Sequence, residues 1–150
     1  EPGNVFGTGK FVPKIAVAHD IPYVATASVA DLHDLEAKVT KAMGFRGARY
    51  IQINVPCPLG WGAASHDTIR LARLAIETGL FPIFEAENGR ITHVRKIRQH
   101  KPVTEYLKLQ RRFAHLFKGG GVDPRVARIQ AIADRHMADF GLLETTAGAA

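Results

Sequence analysis

Leu32, Leu35, Val39 and Met43 recur at spacings of three and four between Asp31 and Gly44. That period predicts an amphipathic helix over 31–44, capped by Asp31 and ended by Gly44. The same period is clearest in "SHDTIRLARLAIETG" (65–79), where Ile69, Ala72 and Ile76 form the buried side and Leu71, Leu74 and Ala75 widen it. Ser65 caps this helix and Gly79 closes it. A shorter helix is predicted from Pro13 to His19. Near the C-terminus, Tyr106, Leu109, Phe113 and Leu116 or Phe117 line one face of a helix over 102–117. Beyond the "GGG" break, a last helix over 123–143 carries Val126, Ile129, Ile132 or Ala133, His136 or Met137, and Phe140, with Pro124 in its first turn. Between the helices lie β-rich runs: "IPYVATAS" (21–28), "ARYIQINVP" (48–56) and "LFPIFEAE" (80–87). "GRITHVRK" (89–96) pairs with the last of these across the "ENG" turn.

Alternation of this kind argues for parallel strands joined by right-handed crossovers. The expected class is α/β: a partial, mostly parallel sheet with flanking helices, followed by two C-terminal helices. A chain of 150 residues is one domain with room for a real core. Three or four strands make a thin sheet, yet these strands are apolar enough to be covered on both faces. Part of the sheet is therefore expected outside this chain, in a missing segment or another subunit. Residues 144–150, "ETTAGAA", read as a frayed tail.

Charge changes the picture in one place. The formal net charge is +6. From Arg90 to Lys118 there are nine Lys or Arg against the single acid Glu105, a local +8, so the remainder sums to −2. Such a segment attracts nucleic acid, an acidic protein or a phosphorylated ligand alike, because the field does not distinguish them. No run approaches the roughly eighteen apolar residues of a membrane-spanning helix. The N-terminus lacks the basic-then-apolar order of a secretory signal. A single cysteine excludes an internal disulfide and suits a reducing, cytoplasmic setting.

That cysteine, Cys57, stands in "QINVPCPLGW" between Pro56 and Pro58, with Gly60 and Trp61 following. Both "ATAS" and "PCPLGW" come directly after predicted strands, on the edge where open α/β sheets gather ligands. A lone cysteine is most often a small core residue. A nucleophile fits poorly, because no base is evident nearby and two prolines remove N–H groups from any oxyanion hole. A ligand to a metal cluster fits the stiffness of the loop, although a cluster needs several ligands. The seven histidines show no metal spacing. "GTGK" (7–10) lacks the phosphate-loop spacing and follows no strand.

The order of motifs carries more than any one of them. "HDIPYVATAS", "YIQINVPCPLGWG", "LARLAIETGLFPIFEAENG", "ITHVRKI", "PVTEYLKLQRRFAHL" and "IADRHMADFGL" follow in sequence. Together they closely resemble the C-terminal half of the β subunit of 2-oxoacid:ferredoxin oxidoreductases of the pyruvate synthase type. The resemblance implies a thiamine-diphosphate-binding fold, with Mg²⁺ and a proximal 4Fe–4S cluster held by the whole subunit. It implies that a thiazolium carbanion attacks the 2-oxo carbon, CO₂ leaves, and electrons pass to the cluster. Coenzyme A takes the acyl group, and ferredoxin, or in some relatives NAD⁺, takes the electrons. It further implies that Cys57 is the fourth cluster ligand, with Pro56, Pro58, Gly60 and Trp61 shaping its loop and Thr26 and Ser28 nearby. The other three cysteines and the Gly-Asp-Gly that holds Mg²⁺ and diphosphate belong to a segment preceding Glu1. The chain alone is then expected to be inactive, its partners being the other subunits and not nucleic acid. An aryl 2-oxoacid relative and a non-catalytic docking module stand as the alternative expectations.

Overall fold

The computed structural model describes residues 9–144. Beyond Glu144 the expected tail lies outside the described residues, as do Gly7 and Thr8 of "GTGK". Pro13 occupies the first turn of α1 (Val12–Ala18), where a missing N–H leaves nothing unpaired. β1 (Tyr23–Ser28) follows and is buried along its whole length. Asp31 then accepts the backbone N–H of Asp34 at 3.1 Å and starts α2 (Leu32–Met43). α2 returns the chain to β2 (Arg49–Asn54), which lies parallel to β1 from Tyr23↔Arg49 through Ser28↔Asn54. After a one-turn helix α3 (Pro58–Trp61) and a 3₁₀ turn over Ser65–Asp67 come α4 (Thr68–Glu77), β3 (Phe84–Glu87) and β4 (Arg90–Val94). The hairpin between β3 and β4 turns on Asn88 and Gly89, both at positive φ (47° and 78°). Such a turn matches the twist of the strands it joins.

The sheet is four-stranded among the described residues, in the order β2-β1-β3-β4. The α/β class is observed. The expectation of a mostly parallel sheet holds only at β1–β2, because β3 is antiparallel to both β1 and β4. The reason lies in α4. Instead of running back along the sheet as a crossover, it packs against α5 (Val103–Lys108) and the 3₁₀ turn before it. The chain therefore enters β3 at the edge where β1 ends, and Phe84 donates its N–H to the Thr26 hydroxyl at 2.9 Å.

Each face of the sheet has its own core. Val24, Phe84 and Ala86 pack with Ala16, Ile97, Phe140 and Leu142 on one side, where the Phe84 and Phe140 rings lie 4.9 Å apart. On the other side Tyr23 and Ala25 meet Ala42, with Phe45 and Ile51 partly buried against them. A third cluster, Val103, Leu107, Leu116, Val126 and Ala133, joins α5 to the long helix α6 (Arg125–Phe140).

Three helix readings are corrected. α4 begins at Thr68 after the 3₁₀ turn, with Asp67 and not Ser65 at its N-cap, and it buries Leu71, Ala72, Leu74 and Ala75, which leaves Ile69 of the expected buried side 43% exposed. The apolar stripe expected to bury α2 faces outward: Leu32, Val39 and Met43 are 64%, 43% and 73% exposed. Lys38 is buried in its place, its ammonium donating to the Thr26 carbonyl at 2.9 Å and to the Asp34 carboxylate at 2.7 Å. Small Ala42 and the Lys38 stem let the helix settle closely on β1. The expected helix over 102–117 is broken after Lys108. Gln110, extended at φ −122°, is buried and donates its side-chain amide to the Tyr106 carbonyl at 2.8 Å, closing α5 from within. Arg111–Gly120 then continues as 3₁₀ turns interrupted at residues 117–119.

Candidate functional site

β1 and β2 end side by side at Ser28 and Asn54, and Cys57 stands three residues beyond that edge. β2 stops where Pro56 can no longer donate to a ladder. Cys57 is the N-cap of α3, with Pro58 in the first turn. Its carbonyl accepts the Trp61 N–H at 3.0 Å, and its sulfur accepts the Gly60 N–H at 3.4 Å. Gly62 closes the turn in the left-handed region at φ 63°. A side chain at Gly62 would meet the Arg111 Cβ at 2.8 Å, so glycine is required for both torsion and space.

Cys57 is exposed, and this overturns the core-residue reading. Pro56 is buried, Pro58 and Trp61 are half-buried, and Gly60 is exposed. Thr26 takes no part. Its hydroxyl donates to the Pro82 carbonyl at 2.7 Å and accepts from Phe84, pinning β3 to β1. The Ser28 hydroxyl accepts the Ala30 N–H at 3.2 Å and shapes the exit from β1.

Residues the sequence reading did not single out hold the turn in place. The Arg111 N–H donates to the Gly62 carbonyl at 3.2 Å. The Arg112 guanidinium lies 4.1 Å from the centre of the Trp61 ring, and its Nε donates to the Gln110 side chain at 2.9 Å. In the sequence "QRRF" falls within the helix predicted over 102–117, which hides this use. Beside the turn, Asn54 Nδ2 is the one buried side-chain nitrogen or oxygen without a partner among the described residues. An unpaired buried amide is costly unless a group from outside the chain accepts from it.

The donor set fits one ligand of an iron–sulfur cluster. Cys57 offers an accessible sulfur on a stiff turn, with the backbone N–H of Gly60 already directed at it. Hydrogen bonds to ligand sulfurs are among the features that tune such clusters. Among the described residues no three His, Cys, Asp or Glu come together to hold a metal. A cluster held at Cys57 would therefore draw its other ligands from outside the described residues.

The same edge carries charge. Arg95, just after β4, pairs with Asp31 at 2.8 Å. The Asp34 backbone N–H first, and then Arg95, hold the Asp31 carboxyl below the usual range. No helix among the described residues is long and apolar enough to cross a membrane.

No family model matches the chain. It is 47% identical over 133 residues to pyruvate synthase subunit PorB of Methanosarcina barkeri, an alignment covering 89% of this chain and 45% of that one. The corresponding subunit of Methanocaldococcus jannaschii is 43% identical over 133 residues, 89% of this chain and 43% of its own. Ketoisovalerate oxidoreductase subunit VorB of Pyrococcus abyssi is 47% identical over 111 residues, 73% of this chain and 36% of its own. All three relatives are subunits of 2-oxoacid oxidoreductases by name. The chain belongs to the β-subunit family of the 2-oxoacid:ferredoxin oxidoreductases. It spans about half the length of the curated relatives it matches, 45% of the Methanosarcina subunit.

Proposed function

We propose that this chain acts as the C-terminal half of a β subunit in the oxidative decarboxylation of a 2-oxoacid to acyl-CoA and CO₂. Electrons leave through a proximal 4Fe–4S cluster to ferredoxin or a similar carrier, and Cys57 is one of the cluster's ligands. The observation that carries this reading is the placement of an exposed thiol on a rigid turn at the carboxyl edge of the parallel strand pair. When bound, thiamine diphosphate with Mg²⁺ supplies the nucleophilic carbanion and the cluster an acceptor for single electrons.

This chain's own part is to hold the sulfur. Gly60 donates toward it, Pro56 and Pro58 limit its directions, and Trp61 under Arg112 keeps the turn from unwinding. Asn54 offers a further N–H to whatever occupies that edge.

The rest of the subunit has a place to join. β2 is an edge strand, and Ile53 and Val55 are 43% and 56% exposed. Lys41 of α2 pairs with Glu85 and Glu87 on the β3 side, each at 2.8 Å. By helical geometry the exposed Leu32, Val39 and Met43 stripe then overlooks the β2 side. An apolar flank above an unpaired edge suits a further strand and its covering helix. With such a neighbour the sheet would gain the thickness its apolar strands call for.

Substrate follows from the relatives only as a class. Pyruvate synthases and ketoisovalerate oxidoreductases both resemble this chain at similar identity, so the proposed substrate is a short 2-oxoacid, pyruvate first. The test is dye reduction by the complete complex under anaerobic conditions. Viologen reduction that requires both pyruvate and coenzyme A is expected, with none from this chain alone. Absence of reduction with pyruvate, 3-methyl-2-oxobutanoate and phenylglyoxylate alike overturns the reading.

A further inference from the structure

Gly60 lies inside the single turn of α3, between Leu59 and Trp61. Glycine within a helix costs stability relative to alanine, so its use there needs a cause. Torsion supplies none, because Gly60 lies outside the left-handed region that Gly62 occupies two residues on. Crowding within the chain supplies none either. A Cβ built on Gly62 would strike the Arg111 Cβ at 2.8 Å, and one on Gly79 the Met137 Cγ at 2.9 Å. One built on Gly60, which is exposed, meets only Cys57 among the described residues, its Sγ at 3.4 Å and its Cβ at 3.9 Å. The atom that a side chain at residue 60 would touch most closely is the sulfur.

The Gly60 N–H concerns the same atom. It donates to Cys57 Sγ at 3.4 Å and has no backbone acceptor among the described residues. The other amides of the turn are committed to carbonyls: Trp61 to Cys57, Gly62 to Leu59 and Ala63 to Pro58. One sulfur therefore receives a fixed donor from residue 60 and is spared a side chain from it. A thiolate bound to iron carries more negative charge when its cluster is reduced, and hydrogen bonds to that sulfur tune the potential. An N–H held there lowers the energy of the reduced form more than that of the oxidised one.

We propose that Gly60 sets the reduction potential of the cluster through its N–H, and that it is glycine because a larger side chain would close the Cys57 sulfur to iron. The inference rests on the reading of Cys57 as a cluster ligand and adds a second residue of the turn to it. Alanine at residue 60 keeps the donor and adds one methyl in ordinary contact with the sulfur. Valine places two further methyl groups on the same side. Proline removes the donor, and Cys57 Sγ is the acceptor it leaves unserved.

The complete complex carrying Gly60→Pro, Gly60→Ala or Gly60→Val is titrated reductively under electron paramagnetic resonance, with iron counted in parallel. In Gly60→Pro the proximal midpoint is expected to fall by the equivalent of about tenfold less reduced cluster at a fixed potential, about 59 mV for one electron. Gly60→Ala keeps the parent midpoint and iron, and Gly60→Val loses proximal iron. A further readout does not depend on Gly60→Pro assembling. The parent and Gly60→Ala complexes are both grown with ¹⁵N-alanine, and electron–nuclear double resonance is recorded on the reduced proximal cluster. A ¹⁵N coupling present only in Gly60→Ala places the amide of residue 60 at the cluster. Absence of that coupling, a parent midpoint in Gly60→Pro, or full iron in Gly60→Val overturns the proposal. Failure of the ligand reading shows separately, as a Cys57→Ala complex that keeps the proximal signal and its iron.

Discussion

The Arg112 guanidinium lies over Trp61, 4.1 Å from the ring centre, and so ties the turn after Lys108 to the turn that carries Cys57. Removing it by Arg112→Ala costs about 1 kcal/mol. Trp61 is the only tryptophan, so its fluorescence reports directly on the contact. A red-shifted emission with stronger acrylamide quenching is expected. Emission identical to that of the parent chain would show that the contact does not hold the turn.

Gly62→Ala places a Cβ 2.8 Å from that of Arg111 at a residue whose φ is 63°. The expected loss is about 2 kcal/mol, read as a lower denaturation midpoint at unchanged slope. Gly119→Ala serves as the control, because it shares the positive φ of 74° but has nothing within reach of a new Cβ. Equal losses at the two positions would remove the steric part of the account.

Lys38 is the buried residue of α2, and Lys38→Ala strands both the Thr26 carbonyl and the Asp34 carboxylate. About 2–3 kcal/mol of stability is expected to go in chemical denaturation. Lys38→Met keeps the stem packing and loses less. A neutral Lys38→Ala would mean that the helix turns its apolar stripe inward instead.

His136 couples stability to pH. Burial first, with Lys14 adding to it, holds its imidazole below the ordinary 6.5, while the Gly79 carbonyl at 3.0 Å and Asp139 oppose the shift. The folded state therefore prefers the neutral ring. Its contribution is present above about 6.5 and is lost as pH falls through the lower, folded value. Thermal scans from pH 7.5 to 5 should show a decline that is shallower in His136→Gln. Parallel curves for the two proteins would assign the decline to other groups.

Much of the fold is legible in the sequence wherever one period dominates. Asp31 and Gly44 bound α2 as their residue types predict, Pro124 marks the start of α6, and the "ENG" turn sets the hairpin, whereas the Ser65 expected to cap α4 lies in the 3₁₀ turn before it. What the sequence could not show is which face of an amphipathic helix is covered. On α2 the apolar stripe is the exposed one, since no described element covers it and the long stem of Lys38 serves as core. Strand direction was equally hidden, because whether α4 returns along the sheet depends on its packing against α5. At the site, the residues of "PCPLGW" alone leave a core thiol as the commonest reading, and the exposure of Cys57 comes only with the turn that Pro58 and Gly62 build. Arg111 and Arg112 gave no signal, because their role arises only where the helix breaks at Gln110.

The most direct test of the account is Cys57→Ala in the complete complex, examined after dithionite reduction by low-temperature electron paramagnetic resonance with iron counted in parallel. Loss of the proximal cluster signal and of about four iron atoms per β subunit is predicted, with the far-ultraviolet circular dichroism preserved. An unchanged signal and iron content in that variant would contradict the assignment of Cys57 as a cluster ligand.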